Sequence, residues 1–204
     1  MCGRFHLATS PKEFASLFDD LNDDWEPRYN IAPTDAVPVA TADGPLVMRW
    51  GFQRQWSPMP LINARCETVA SKATFAESFA HRRCLVPATG YYEWKSKRPH
   101  NISTGGLFAM AGVWELVDET TMAFTVITTQ ANSLTKAIHD RMPVILDPSN
   151  FETWLNEGPS SLLGPYPSKS MEMTAVSNFV NKVGNDGKRC IEPIDPDDGF
   201  LFRI

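Results

Sequence analysis

Cys2 directly follows Met1, and it is small enough for an aminopeptidase to remove the methionine. The mature chain would then begin with an α-amine and a thiol on adjacent carbons, an arrangement no internal cysteine offers. The amine has an ordinary pKa of about 7.7–8.0 and the thiol one of about 8.5, so both are partly reactive near neutral pH. Such a 1,2-aminothiol condenses with an aldehyde. The amine forms an imine, and the thiolate closes a five-membered thiazolidine in an intramolecular step favoured by a high effective concentration. Three other segments carry side chains suited to sugar or proton chemistry. In Gly90-Tyr91-Tyr92-Glu93-Trp94-Lys95, a carboxylate between aromatic residues would be poorly hydrated, and its pKa would rise toward general acid–base use. In Ile138-His139-Asp140-Arg141-Met142-Pro143, a histidine near a helix end can shuttle protons near neutral pH. In Leu61-Ile62-Asn63-Ala64-Arg65-Cys66-Glu67-Thr68, a strand ending there points Asn63 and Arg65 to one face, where an amide and a guanidinium could hold a phosphate or sugar.

Each motif also has a plainer reading when taken alone. Cys2 is then an incidental small residue beside the start. Glu93 is the solvent-facing position of an alternating strand. His139 caps a helix C-terminus beside a local Asp140–Arg141 ion pair. Arg65 is a surface arginine next to a turn asparagine.

The elements that must position these groups are short. Sixteen prolines and twelve glycines punctuate the 204 residues, and no repeat or low-complexity tract is visible. Ser10-Pro11-Lys12-Glu13 reads as a helix start, with Ser10 as N-cap, Pro11 at the first position and Glu13 closing a capping box. Phe14, Leu17 and Phe18 fall on one face of that helix. Further helices are expected over Ser71 to about Ala80, over Asn132 to about Ile138, and from Asp147-Pro148 onward, burying Phe151, Trp154 and Leu155. Strands are expected at Leu46–Phe52, Leu61–Ala64, Cys84–Val86, Tyr91–Trp94, Leu107–Leu116, Met122–Thr128, Pro143–Leu146 and Met171–Val176. Consecutive strands without intervening helices imply mostly antiparallel pairing. The expected fold is a single α+β domain with a barrel-like β core flanked by short helices. An acidic tail from about residue 193, containing Asp195-Pro196-Asp197-Asp198-Gly199, is expected to be loose.

Composition narrows the class. With 43% hydrophobic and 21% charged residues, the chain can bury a sizeable core without disulfide or metal staples. No stretch of about eighteen apolar residues exists, and MCGRFHLATS has no signal-peptide core, so a cytoplasmic protein with no membrane partner is expected. Cys2, Cys66, Cys84 and Cys190 show no C-x-x-C spacing, which argues against a zinc ribbon and for free thiols; no metal or cofactor is implied. The net charge of −5 argues against bulk coating of nucleic acid. Its distribution is uneven. Residues 49–98 hold nine bases against three acids, whereas residues 1–48 hold three against eight and residues 99–204 seven against thirteen. A basic middle between acidic ends fits a localised anion-binding surface, or simply a solvated face.

Four segments then occur together and in order: Met1-Cys2-Gly3-Arg4-Phe5, Arg28-Tyr29-Asn30-Ile31-Ala32-Pro33-Thr34, Ile62 to Thr68, and Ile138 to Pro143. With Arg83-Cys84-Leu85-Val86-Pro87-Ala88 leading into Tyr92-Glu93-Trp94-Lys95, the chain strongly resembles the SRAP family, the SOS response-associated peptidases. The resemblance runs from Met1 to the Val180–Gly187 segment. It implies a monomeric single domain that binds single-stranded DNA and joins abasic sites covalently through a thiazolidine at the N-terminal cysteine. It implies Cys2 as the crosslinking nucleophile, Asn63 as the residue holding the opened sugar, Glu93 as the acid–base partner and His139 as the proton-transfer aid. It further implies Arg4 and Arg65 as phosphate contacts, and Pro33, Trp56 and Trp94 as apolar contacts to DNA. Aromatic side chains there stack on bases without reading sequence. Around Trp56 the chain departs from the family pattern, with Gln53 and Arg54 in Trp50-Gly51-Phe52-Gln53-Arg54-Gln55-Trp56. The family name also implies a peptidase activity, including removal of the protein's own Met1. Two other classes stay open: an N-terminal-nucleophile amidohydrolase, in which Cys2 attacks an amide, and a non-catalytic reader of modified DNA.

Overall fold

The computed structural model describes residues 2–18 and 25–194. In chain order the elements are β1 (Phe5–Leu7), α1 (Pro11–Phe18), β2 (Arg28–Ile31), β3 (Ala36–Thr41), β4 (Gly44–Trp50), β5 (Phe52–Arg54), β6 (Ser57–Leu61), β7 (Asn63–Arg65) and α2 (Ala76–His81). There follow β8 (Arg83–Ala88), β9 (Gly90–Lys95), β10 (Arg98–Ser103), β11 (Phe108–Leu116), β12 (Met122–Gln130), β13 (Arg141–Pro143), β14 (Ile145–Leu146), α3 (Phe151–Asn156) and β15 (Glu172–Ala175). Five strands close into a barrel in the order β12-β4-β3-β8-β11, with β11 pairing back to β12. Closure removes the exposed edges that such short strands would otherwise leave.

The barrel is mostly antiparallel, as expected, but β12 runs parallel to both β4 and β7. The cause is the Gly51 kink. Gly51 sits at φ +112°, and a Cβ there would lie 2.7 Å from the Pro60 Cβ. Only glycine tolerates that backbone and that approach. The strand expected over Leu46–Phe52 therefore breaks after Trp50, and β5–β6 loops out as a hairpin. The chain then returns along the same edge of β12 as β7, in the same direction as β4. The strand expected over Leu61–Ala64 splits at Ile62 for the same reason. Its carbonyl accepts from the Trp50 indole at 3.0 Å, tying kink and return together. Arg54 locks the hairpin base with two hydrogen bonds to Glu115, at 2.7 and 2.6 Å. The departure from the family pattern at Arg54 is thus a structural clamp.

A second sheet, in the order β15-β10-β9-β1-β2, lies against the barrel. Strand alternation sends Phe5 and Tyr91 into the large core, where Phe5 meets Trp50 edge-on at 5.0 Å. Tyr92 faces the other way, into a small cluster with Val176, Val180 and Cys190. Strands β1, β2, β3 and β10 escape the sequence reading because they are short or interrupted by polar and proline positions. His6 on β1 is buried, with Nδ1 2.8 Å from the Thr89 hydroxyl and Nε2 2.9 Å from Asn101 Oδ1. Burial pushes its pKa down to about 4. The folded protein thus holds a neutral imidazole while the unfolded chain binds a proton below about 6.5. Stability from this group is complete above about pH 6.5 and lost as pH falls toward 4, on the order of 3 kcal/mol in all. Urea titrations across pH 4–7 should show this slope, and His6→Gln should flatten it.

Helix α1 begins as predicted, and the Ser10 hydroxyl accepts from the Glu13 amide at 3.2 Å. Phe14 and Phe18 are buried, but Leu17 is exposed, so the apolar face is narrower than expected. The capping box is half-formed, because the Glu13 carboxylate takes the Thr9 hydroxyl instead of reaching back to Ser10. The helix expected from Ser71 begins only at Ala76, after a run of turns, and the one expected from Asn132 is a single 3-10 turn over Thr135–Ala137. Asp147 caps the Pro148–Asn150 turn, from which α3 buries Phe151 and Trp154; Leu155 is only partly buried. Residues 193 and 194 are held to the sheet region, where Val176 pairs with Pro193 and the Ile194 amide bonds the Ala175 carbonyl. The acidic stretch Asp195–Gly199 lies outside the described residues.

Candidate active site

The seam between barrel and second sheet gathers the four sequence-predicted chemical residues. Cys2 leads into β1 and is fully buried. Asn63 reaches it from β7, donating from Nδ2 to the Cys2 carbonyl at 2.8 Å. Asn63 and Arg65 flank buried Ala64, so they share a face as alternation requires. Glu93 on β9 is 5% exposed, which excludes the solvent-facing reading. Burial raises its carboxyl pKa, and the nearby His139 partly opposes that rise. Burial, together with the Glu93 charge, pushes the Cys2 thiol far above its ordinary value. Cysteine, carboxyl, amide and imidazole thus interact across one small volume, with the thiol held neutral and the carboxyl inclined to keep its proton.

His139 follows the Thr135–Ala137 turn and precedes β13. Its Nδ1 is turned onto its own loop, 3.0 Å from the Arg141 amide and 3.0 Å from Asp140 Oδ1. The local Asp140–Arg141 pair of the plainer reading does not form. Arg141 instead forks onto Glu67 at 2.6 and 2.9 Å and donates to the Thr128 carbonyl at 2.6 Å. That pairing holds the Glu67 carboxyl down to about 2. It also fixes the His139 loop against the end of β7. Both residues stand in the quoted motifs, but 74 positions separate them, so no local pattern could pair them.

Arg65 is exposed and lines two open cavities. One, of 390 Å³, is shared with Gln130, Ala131, Lys136, Asp140 and Arg141. The other, of 430 Å³, is shared with Leu61, Asn63, Thr68, Ser71, Lys72 and Phe75. Arg65, Lys72 and Lys136 add positive charge to this surface against Asp140, while Arg141 is paired to Glu67; only Arg65 and Lys72 belong to the basic middle of the sequence.

The remaining predicted contacts stand on neighbouring elements. Arg4 donates to Asn30 Oδ1 at 2.7 Å and to the Val180 carbonyl at 3.1 Å, with its guanidinium 5.9 Å from the Trp94 ring centroid. Trp94 is half-buried, and its indole donates to Asn181 Oδ1 at 2.7 Å. Asn30 in turn donates to the carbonyls of Val180, Lys182 and Asn185. The sequence reading missed this hub, whose partners lie some 150 residues away. Pro33 occupies a tight turn in which Thr34 is forced to φ +77°. That conformation is costly for a β-branched residue, and such strain collects at functional sites. Trp56 is 66% exposed at the tip of the β5–β6 hairpin. It therefore stands apart from the seam, on solvent-facing surface.

Two buried polar atoms at the seam lack a hydrogen-bond partner among the described residues, Asn63 Oδ1 and Tyr91 Oη. An unsatisfied buried group costs about 1–3 kcal/mol, so such a pair marks a place kept for something other than stability.

Comparison with known proteins shows the family. The family model for SOS response associated peptidase (SRAP) matches residues 1–183. The abasic site processing protein YoqW of Bacillus subtilis is 34% identical, over 94% of this chain and 99% of its own. The abasic site processing protein YedK of Escherichia coli is 31% identical, over 95% of this chain and all of its own. A crystal structure of a protein from Bacteroides thetaiotaomicron superposes with a TM-score of 0.83 at 26% identity, covering 95% of this chain and all of that one. Ordered motifs, a seam that gathers their side chains, and a match over most of the length lead to one conclusion: this chain belongs to the SOS response associated peptidase family.

Proposed function

We propose that this protein processes abasic sites in single-stranded DNA and, once Met1 is removed, joins them covalently through Cys2. The opened deoxyribose of an abasic site presents an aldehyde at C1′. The Cys2 amine attacks C1′, and a proton moves from nitrogen to oxygen to give a carbinolamine. The C1′–oxygen bond then breaks, the oxygen takes a proton and leaves as water, and an iminium remains. The thiol adds to C1′, its proton is lost, and the thiazolidine closes. Glu93 is the acid–base group for the carbinolamine, His139 the proton donor to the ring oxygen as the sugar opens, and Asn63 the amide that positions Cys2 and the sugar.

The observation that carries this reading is the convergence of Cys2, Asn63, Glu93 and His139 at one buried seam, beside a basic surface. The names of the relatives support abasic sites as the substrate. Intact-mass analysis after incubation with an abasic oligonucleotide tests it. The expected gain is the mass of the DNA strand less one water; unchanged mass with Met1 absent would refute the covalent step, and release of ammonia from glutamine would favour the amidohydrolase.

Arg65 is the expected phosphate contact, with Arg4, Pro33, Trp56 and Trp94 completing a strand-binding surface. Arg65→Ala should weaken binding several-fold for all sequences alike and lower the salt slope by about one. Fluorescence anisotropy at several salt concentrations measures both. A strong sequence preference, or tighter binding to intact duplex, would contradict the assignment.

A further inference from the structure

The Tyr91 hydroxyl lies at the seam and has no role in the scheme above. Tyr91 is fully buried, and its oxygen has no hydrogen-bond partner among the described residues. Its neighbour shows that the fold satisfies a phenol where the phenol is structural: the Tyr92 hydroxyl donates to the Tyr29 carbonyl at 2.8 Å. A purely apolar need at position 91 would be met better by phenylalanine, which has the same shape and no orphaned oxygen.

Alternation on β9 puts Tyr91 on the same face as Glu93, two residues on. Across the sheet Tyr91 is in register with Phe5, three residues from Cys2. Its hydroxyl also lies within electrostatic range of both the Cys2 thiol and the Glu93 carboxyl. Burial first, then these two groups, push its pKa well above the ordinary phenol value, so it stays a neutral donor throughout the physiological range. A fixed, desolvated donor aimed at developing charge is what a site needs where an oxygen leaves carbon.

We propose that Tyr91 is a further catalytic residue, whose hydroxyl donates a hydrogen bond to the oxygen that leaves C1′ as the carbinolamine collapses. The proton that completes water comes from the acid–base group, and Tyr91 keeps its own. This rests on the crosslinking reading, and the test separates the two.

The experiment uses protein lacking Met1 and compares it with Tyr91→Phe at saturating abasic single-stranded DNA. The single-turnover rate of adduct formation should fall about ten-fold or more. DNA affinity should be unchanged, and the melting temperature unchanged or higher, because the substitution removes an unpaired oxygen. In the Cys2→Ser background, which stops at the imine, borohydride trapping should show the same rate loss, placing the effect before thiol addition. Equal rates for Tyr91→Phe and the parent would overturn the role of Tyr91 while leaving the crosslink intact. A rate loss that follows a loss of affinity or melting temperature would overturn it too, in favour of a shape-filling side chain. Absence of adduct from the parent protein would overturn both readings.

Discussion

Protein processed to begin at Cys2 is expected to give a denaturation-resistant adduct with abasic single-stranded DNA, and Cys2→Ala is expected to give none. Alanine keeps the terminal amine and loses the thiol, so the reaction stops at a reversible imine. The sequence of events follows from the site. The Cys2 thiol is buried and kept neutral, hence a poor first nucleophile, so the amine must act first. Once a cation forms at C1′, the adjacent thiol is favoured by attraction and by proximity. Protein that retains Met1 should also be inert, because its Cys2 nitrogen is an amide. Cys2→Ser should give an adduct only after borohydride reduction. Replacing a buried thiol by a methyl group costs about 1 kcal/mol, so the variant should fold and the loss can be read as chemical. Denaturing gels with intact-mass analysis distinguish these cases. A stable adduct from Cys2→Ala at the parental level would dismiss the aminothiol mechanism.

What could be read from the sequence was local or periodic. The start of α1 followed from Ser10, Pro11 and Glu13, because a cap is decided within one turn. Alternation correctly placed Asn63 and Arg65 on one face, since period two is fixed by the backbone. Alternation cannot say what a face meets. On alternation alone Glu93 fits best as the solvent-facing position of its strand, whereas the fold buries it. Arg141 was read with its neighbour Asp140, whereas the fold gives it Glu67. Such a choice rests on β7 returning beside β12, and that return rests on one glycine kink at position 51. The family resemblance supplied roles for residues that spacing alone could not join. The hub at Asn30 was quoted within a motif, yet its purpose emerged only with the 178–185 segment folded over it.

Glu93→Gln is expected to slow adduct formation by about 10²-fold while leaving DNA affinity close to the parental value. The glutamine keeps the shape and loses the transferable proton. It also removes a desolvated acid, so the melting temperature should not fall. The pH dependence makes the prediction sharper. Attack requires the neutral amine, whose fraction grows as pH rises, whereas loss of water requires a proton donor. Because burial raises the Glu93 pKa, this carboxyl keeps its proton to higher pH than an ordinary glutamate. The rate should therefore decline again as pH rises through that raised pKa, and Glu93→Gln should abolish this falling limb while keeping the rising one. His139→Ala should act on another step. It removes the donor to the sugar ring oxygen, so it should slow ring opening by about ten-fold and, by microscopic reversibility, slow release of adduct already formed. Single-turnover rates of formation and release, measured for each variant across pH, separate the two. Each group acts on a reversible step, so both variants should lose rate in both directions, and loss of the falling pH limb in Glu93→Gln but not in His139→Ala gives the division of labour its kinetic form. If both variants match the parent in both rates, these side chains only hold the seam together, and the proton transfers belong to other groups.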